Sequence, residues 1–87
     1  LRLEAKVNGH VIDLTNHEFQ LLHYLMKHPN QILSREQILD ELYPNHEKIV
    51  TDRTIDVHIG KLREKLGANK AHWIETVRGV GYKFVAY

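Results

Sequence analysis

The sequence predicts an α+β domain with the element order strand, strand, helix, helix, helix, strand, strand. Two observations carry that order. Three amphipathic segments each open at a Ser or Thr able to cap a helix, and stretches with strand character, joined by turn signals, flank them on both sides. A third observation bounds it: 87 residues, 43% hydrophobic and without cysteine, support one core held by apolar packing alone.

Leu1, Leu3, Ala5 and Val7 alternate with Arg2, Glu4 and Lys6, the period of two expected of a half-buried strand. Asn8-Gly9 tolerates the positive φ angles of a two-residue turn, so the chain is expected to return through His10 to Leu14 as a hairpin. Thr15-Asn16-His17-Glu18 is a capping box: the Thr15 hydroxyl can accept from the Glu18 N–H while the Glu18 carboxylate reaches back to that of Thr15. Leu14 and Phe19 fit a hydrophobic staple, and Phe19, Leu22 and Met26 share a face of a helix that His28-Pro29-Asn30 ends. The pattern recurs at Ser34-Arg35-Glu36-Gln37, with Leu33 and Ile38 as staple, Ile38 and Leu42 as buried stripe, and Pro44-Asn45 as the stop.

A third helix is expected from Thr51, with Val50 and Ile55 at staple positions and Asp52 at the positive end of the helix dipole. Its capping box is incomplete, because position 54 is Thr. Ile55, Ile59, Leu62 and Leu66 recur as one apolar stripe, and Gly67 is a natural C-cap. Beyond Gly67-Ala68-Asn69-Lys70, residues 73–77 read as a strand, Arg78-Gly79-Val80-Gly81 as a turn and 82–87 as the returning strand.

The net charge is only +1, yet residues 1–50 hold five Lys/Arg against seven Asp/Glu while residues 51–87 hold seven against four. The C-terminal part is the basic one, as a phosphate-binding surface would be. No apolar run approaches the roughly 18 residues of a membrane span, and no signal-peptide pattern opens the chain, so a cytoplasmic domain with no membrane partner is expected. A start at Leu1 rather than Met leads to the expectation of a piece of a longer polypeptide. His10, His17, His23, His28, His46, His58 and His72 are scattered over every element without an H-x-x-x-H pair, so no metal or other cofactor is expected. There is no G-x-S-x-G, no P-loop and no dinucleotide fingerprint, and a non-enzymatic domain is expected.

Opposite the apolar stripe of the third helix lie Arg53, Val57, Gly60 and Lys61, with Thr54 and Lys65 toward one flank and Arg63 on the other. Long cations and small residues on one face suit a helix laid in the DNA major groove. There guanidinium and ammonium groups reach phosphates or guanine edges, and a Val or Thr methyl meets thymine. A charged outer face is also what any solvated amphipathic helix shows. The hairpin that follows at once adds weight, because it sets Arg78 at the tip of a narrow projection of the kind that enters a minor groove.

The strings Asp52-Arg53-Thr54-Ile55-Asp56-Val57-His58-Ile59, Lys61-Leu62-Arg63-Glu64-Lys65-Leu66 and Thr76-Val77-Arg78-Gly79-Val80-Gly81-Tyr82 resemble the C-terminal effector domain of OmpR/PhoB-type bacterial response regulators. Leu14-Thr15 and Leu33-Ser34-Arg35-Glu36-Gln37-Ile38-Leu39 are similar to that family's first two helix starts, so the likeness covers essentially the whole chain. It implies a winged helix-turn-helix: an N-terminal β-hairpin, which is a truncated sheet, then three helices and a C-terminal β-hairpin wing. Residues 1–87 would be the DNA-binding output domain of a two-component regulator of transcription, with the receiver domain absent. The helix at 51–66 would read the major groove and the wing at 73–87 the minor groove.

By that resemblance Arg53 contacts phosphate, Thr54, Val57 and Lys61 face bases or the groove wall, Arg63 and Lys65 lie near the DNA backbone, and Thr76 and Arg78 belong to the wing. His58 reads as a partly buried groove-side or helix-packing residue. The loop at 43–50, with Tyr43, Asn45, His46, Glu47 and Lys48, would touch RNA polymerase. Tandem direct repeats in the DNA, a homodimer of the full-length protein and a sensor kinase acting on the receiver complete the implied partners. Two departures stand out: the residues before the first helix suffice for about two strands where the family usually has four, and Gly60 occupies a position where several relatives carry Arg or Ser. No contact is assigned to Gly60. The competing reading is a winged-helix adaptor that binds protein and not DNA, against which the basic face and the Arg tip argue.

Overall fold

The computed structural model describes the backbone of residues 3–7 and 10 and, in full, residues 11–45, 50–68 and 70–85. Strand β1 (Leu3–Val7) pairs antiparallel with β2 (His10–Leu14), from Leu3 opposite Leu14 to Val7 opposite His10. That register leaves a two-residue connection, while Asn8 and Gly9 themselves lie outside the described residues, as do Leu1, Arg2, Asn69, Ala86 and Tyr87.

Helix α1 (Asn16–Lys27) opens on the expected box: the Thr15 N–H donates to Glu18 Oε1 at 2.9 Å and the Glu18 N–H to Thr15 Oγ1 at 3.2 Å. Strand β3 (Leu33–Ser34) leads directly into α2 (Arg35–Leu42), where the Ser34 N–H donates to Gln37 Oε1 at 2.8 Å and the Gln37 N–H to Ser34 Oγ at 3.0 Å. At α3 (Asp52–Leu66) the Thr51 N–H donates to Thr54 Oγ1 at 3.3 Å. The reach-back expected to be missing there is made by a hydroxyl in place of a carboxylate. Gly67, at φ 91°, ends α3, and its N–H donates to the Arg63 carbonyl at 3.1 Å.

A 3₁₀ turn (Ala71–Trp73) then precedes β4 (Ile74–Val77) and β5 (Gly81–Phe84), which form a three-stranded antiparallel sheet in the order β3–β5–β4. Trp73 was expected in the strand; the Trp73 N–H instead donates to the Lys70 carbonyl, closing the 3₁₀ turn. Its carbonyl still accepts from the Val85 N–H at 2.7 Å, so the pairing continues one step past the ladder. Strand β3 escapes a reading by pattern because two residues cannot show a period. It exists because Leu33 and Ser34 register with Tyr82 and Gly81.

The core gathers Leu21, Leu22 and Leu25 from α1, Ile38, Leu39 and Leu42 from α2, and Ile55, Ile59, Leu62 and Leu66 from α3, closed by Leu14, Leu33, Ile74, Tyr82 and Phe84. One expectation is corrected. The inward stripe of α1 is Glu18, Leu21, Leu22 and Leu25, an i, i+3, i+4, i+7 set, whereas Met26 is 51% exposed and Phe19 only half-buried at the edge. Both residues lie about 100° around the helix from the centre of that stripe.

Candidate nucleic-acid interface

With its apolar stripe buried, α3 presents two flanks and an outward face, and the two flanks are occupied within the protein. On the flank toward α1, Lys65 Nζ donates to Glu18 Oε1 at 2.5 Å, with Glu18 2% and Lys65 35% exposed. Burial works against the ionised Glu18, but the Lys65 ammonium and the Thr15 N–H outweigh it and hold the carboxyl below its ordinary value. Two turns earlier, Tyr43 Oη lies 2.8 Å from His58 Nε2 and 3.2 Å from His17 Nδ1, with the His17 ring centroid 4.3 Å from that of Tyr43. Burial, and then the neighbouring His17, push His58 below its ordinary value and favour the neutral ring. Burial raises the Tyr43 hydroxyl.

The opposite flank faces α2 and the wing. Asp56 Oδ1 accepts from Arg35 Nε at 2.8 Å and from Tyr82 Oη at 2.6 Å. Burial alone would raise this carboxyl, but Tyr82 and Arg35 outweigh it and lower it. Asp56 in turn raises Arg35, and burial together with Asp56 raises the Tyr82 hydroxyl. Seven residues on, Arg63 Nη2 donates to the Ile74 carbonyl at 2.6 Å and to Thr76 Oγ1 at 2.8 Å, while its Nε donates to the same carbonyl at 3.2 Å. The Arg35 and Arg63 guanidiniums stand 5.4 and 5.7 Å from the centroid of the Tyr82 ring.

The outward face carries Arg53, Val57, Gly60, Lys61 and Glu64, all exposed. A Cβ built on Gly60 would meet nothing within 4 Å, so no packing inside the protein demands glycine there. Arg78 and Val80 are exposed on the turn between β4 and β5. Of the sequence-predicted residues, Arg53, Val57 and Lys61 therefore form one solvent-facing surface and Arg78 a second. Thr54 is half-buried and caps the helix; His58, Arg63, Lys65 and Thr76 are bonded within the fold. In the α2–α3 loop Tyr43 is half-buried against the two histidines and Asn45 is exposed, while His46, Glu47 and Lys48 lie outside the described residues.

Sequence reasoning missed Glu18, Arg35, Asp56 and Tyr82 as the partners that orient these elements. The spacing of Asp56 and Arg63, two turns apart on one helix face, was a usable signal for that flank. Among the described residues no group of three or more His, Cys, Asp or Glu is placed to hold a metal ion, and no helix is long and apolar enough to cross a membrane.

Residues 9–84 match the family described as "Transcriptional regulatory protein, C terminal". The chain belongs to this family. The transcriptional regulatory protein BaeR of Escherichia coli O6:H1 is 46% identical over 87 residues, covering 98% of this chain and 36% of BaeR. The crystal structure of the Klebsiella pneumoniae RstA DNA-binding domain in complex with the RstA box is similar at a TM-score of 0.79 and 33% identity, covering 94% of this chain and 82% of that one. The DNA-binding domain of CpxR from E. coli is similar at 0.79 and 38% identity, covering 95% and 82%. The chain spans about a third of the length of the curated relatives it matches.

This transcriptional-regulator C-terminal domain has the winged-helix fold of the OmpR/PhoB-type response regulators, and its family is one of DNA-binding transcription regulators rather than of enzymes. The protein-adaptor alternative is not favoured.

Proposed function

We propose that this domain binds double-stranded DNA sequence-specifically, with α3 in the major groove and the β4–β5 hairpin in the adjacent minor groove. The observation that carries the reading is the division of α3: its stripe and both flanks are spent on the fold, while Arg53, Val57 and Lys61 are left facing solvent. Glu64 is exposed near the C-terminal end of the same face, so insertion is by the first three turns, where a cation meets phosphate or a guanine edge and Val57 a thymine methyl. Arg78 at the hairpin turn is the group a narrow, electronegative minor groove attracts.

In the whole protein the domain is the output end of a cytoplasmic two-component regulator. A receiver domain, phosphorylated by a sensor kinase, drives homodimers onto tandem direct repeats, and the loop at 43–50 touches RNA polymerase. Support for these partners comes from the family resemblance; the exposed Pro44 and Asn45 are the surface that the described part of that loop offers.

Selection of a duplex from random sequence, followed by affinity measurements of the 87-residue chain across salt concentrations, tests the reading. The logarithm of affinity should fall linearly with the logarithm of salt as condensed counterions are released. Two direct repeats about one helical turn apart should bind more tightly than one. A flat salt dependence would restore the adaptor reading, and indifference to repeat spacing would remove tandem docking.

A further inference from the structure

Resting on the DNA-binding reading, we infer that Arg63 is a positioning residue and not a DNA contact: it fixes the wing relative to α3 and so sets the offset between the two groove-reading elements. Its guanidinium forks onto two acceptors of β4, the Ile74 carbonyl at 2.6 Å and Thr76 Oγ1 at 2.8 Å, with Nε also aimed at Ile74. Nε and Nη2 are committed to these acceptors, which fixes the plane of the guanidinium against β4 and leaves Nη1 alone without a bond to the strand.

The tie matters because of where the second one lies. Asp56, two turns earlier on the same face of α3, holds the hydroxyl of Tyr82 on β5, and Tyr82 stands opposite Thr76 in the β4–β5 register. The helix thus grips the wing at two points about 10 Å apart along its axis. Ile74, Tyr82 and Phe84 seat the base of the hairpin in the core, so without the Arg63 fork the hairpin pivots about that base as a hinge. Arg78 lies at the far end of the same hairpin, so a rotation about that hinge carries it away from a minor groove while leaving Arg53 and Lys61 in place.

Three variants separate a strut from a phosphate contact: Arg63→Gln, Arg63→Lys, which keeps the charge but not the planar fork, and Thr76→Val, which removes one acceptor. The first readout needs no DNA. Amide hydrogen exchange across the hairpin from Thr76 to Phe84 should quicken about tenfold in both Arg63 variants, as loss of a charge-assisted hydrogen bond gives, and less in Thr76→Val, while α3 amides near Ile59 keep their protection. On the selected duplex, both Arg63 variants should lose minor-groove protection from hydroxyl radicals and keep guanine N7 protection in the major groove. Arg63→Gln combined with Arg78→Ala should bind no more weakly than Arg78→Ala alone, because a mispositioned wing has already lost that contact.

Unchanged exchange in the hairpin would overturn the inference. So would an Arg63→Lys variant binding like the wild type while the losses of Arg63→Gln and Arg78→Ala add, the signature of two independent DNA contacts. Failure of the wild-type chain to bind DNA is a different outcome: it would refute the DNA-binding reading and the DNA half of this one, and the exchange measurement alone would still decide whether Arg63 holds the wing.

Discussion

Gly81→Ala probes the one described glycine at which two backbones approach too closely for any side chain. A Cβ at this position would lie 2.0 Å from the Leu33 carbonyl oxygen and 2.8 Å from the Ser34 Cα. Ordinary contact needs about 3.5 Å, so β3 and β5 must part by more than an ångström. The described β3–β5 ladder consists of Leu33 against Tyr82 and Ser34 against Gly81, and a separation of that size dissolves it. One or two backbone hydrogen bonds at about 1 kcal/mol each are lost. Partial exposure of Leu33 and Tyr82, now 1% and 4% exposed, brings the cost to about 2–4 kcal/mol. With an unfolding entropy near 2.1 cal/mol/K per residue, such a loss lowers Tm by roughly 10–20 °C in a chain of this length. Gly60→Ala is the control: its Cβ meets open space within a helix, and it should raise Tm by about 3–5 °C through helix propensity alone. Far-UV circular dichroism melts of the three proteins decide the matter. A Gly81→Ala variant melting within about 3 °C of the wild type would refute the close approach, since Tm tracks stability this directly.

Further outcomes follow from the flanks and faces of α3. Glu18→Gln, which keeps an acceptor for Thr15 but removes the charge beside Lys65, should cost about 1–3 kcal/mol in urea denaturation at neutral pH. Lys65→Met should also destabilise yet leave the salt slope of DNA binding unchanged, whereas a drop of about 0.9 in that slope would make Lys65 a phosphate contact. His58, Glu18 and Asp56 are all held below their ordinary values, so the unfolded chain binds more protons at each. Stability should therefore be full above about pH 6.5, decline as pH falls below it when unfolded His58 charges, and decline again through the carboxylate range. Constant stability between about pH 7 and pH 3 would refute those shifts. Lys61→Ala should cost about 1–3 kcal/mol and relax preference at one or two base positions, and Arg78→Ala should weaken A·T-flanked sites most. Equal losses on every sequence would mean that both touch only phosphate.

Short-range chemistry was enough for the three helices, the strands β1, β2, β4 and β5, and their order. Capping boxes, staples and the Gly67 cap each depend on residues within about five positions of one another, and the apolar stripe of α3 repeats every turn. The exposed pair Arg53 and Lys61 was legible for the same reason, because residues opposite an unambiguous stripe must face outward. What stayed hidden required partners far along the chain. Strand β3 exists only as the neighbour of β5, some 48 positions later, and the inward face of α1 was chosen by what α2 and α3 present to it. The division of the cations is the sharpest case. Arg53, Lys61, Arg63 and Lys65 look alike in sequence, yet Glu18, 47 residues from Lys65, is 2% exposed and requires a counter-charge, and the Ile74 carbonyl and Thr76 hydroxyl occupy the Arg63 fork. A buried carboxylate or carbonyl that has left water must be satisfied within the fold, and only the tertiary arrangement decides which nearby cation does it.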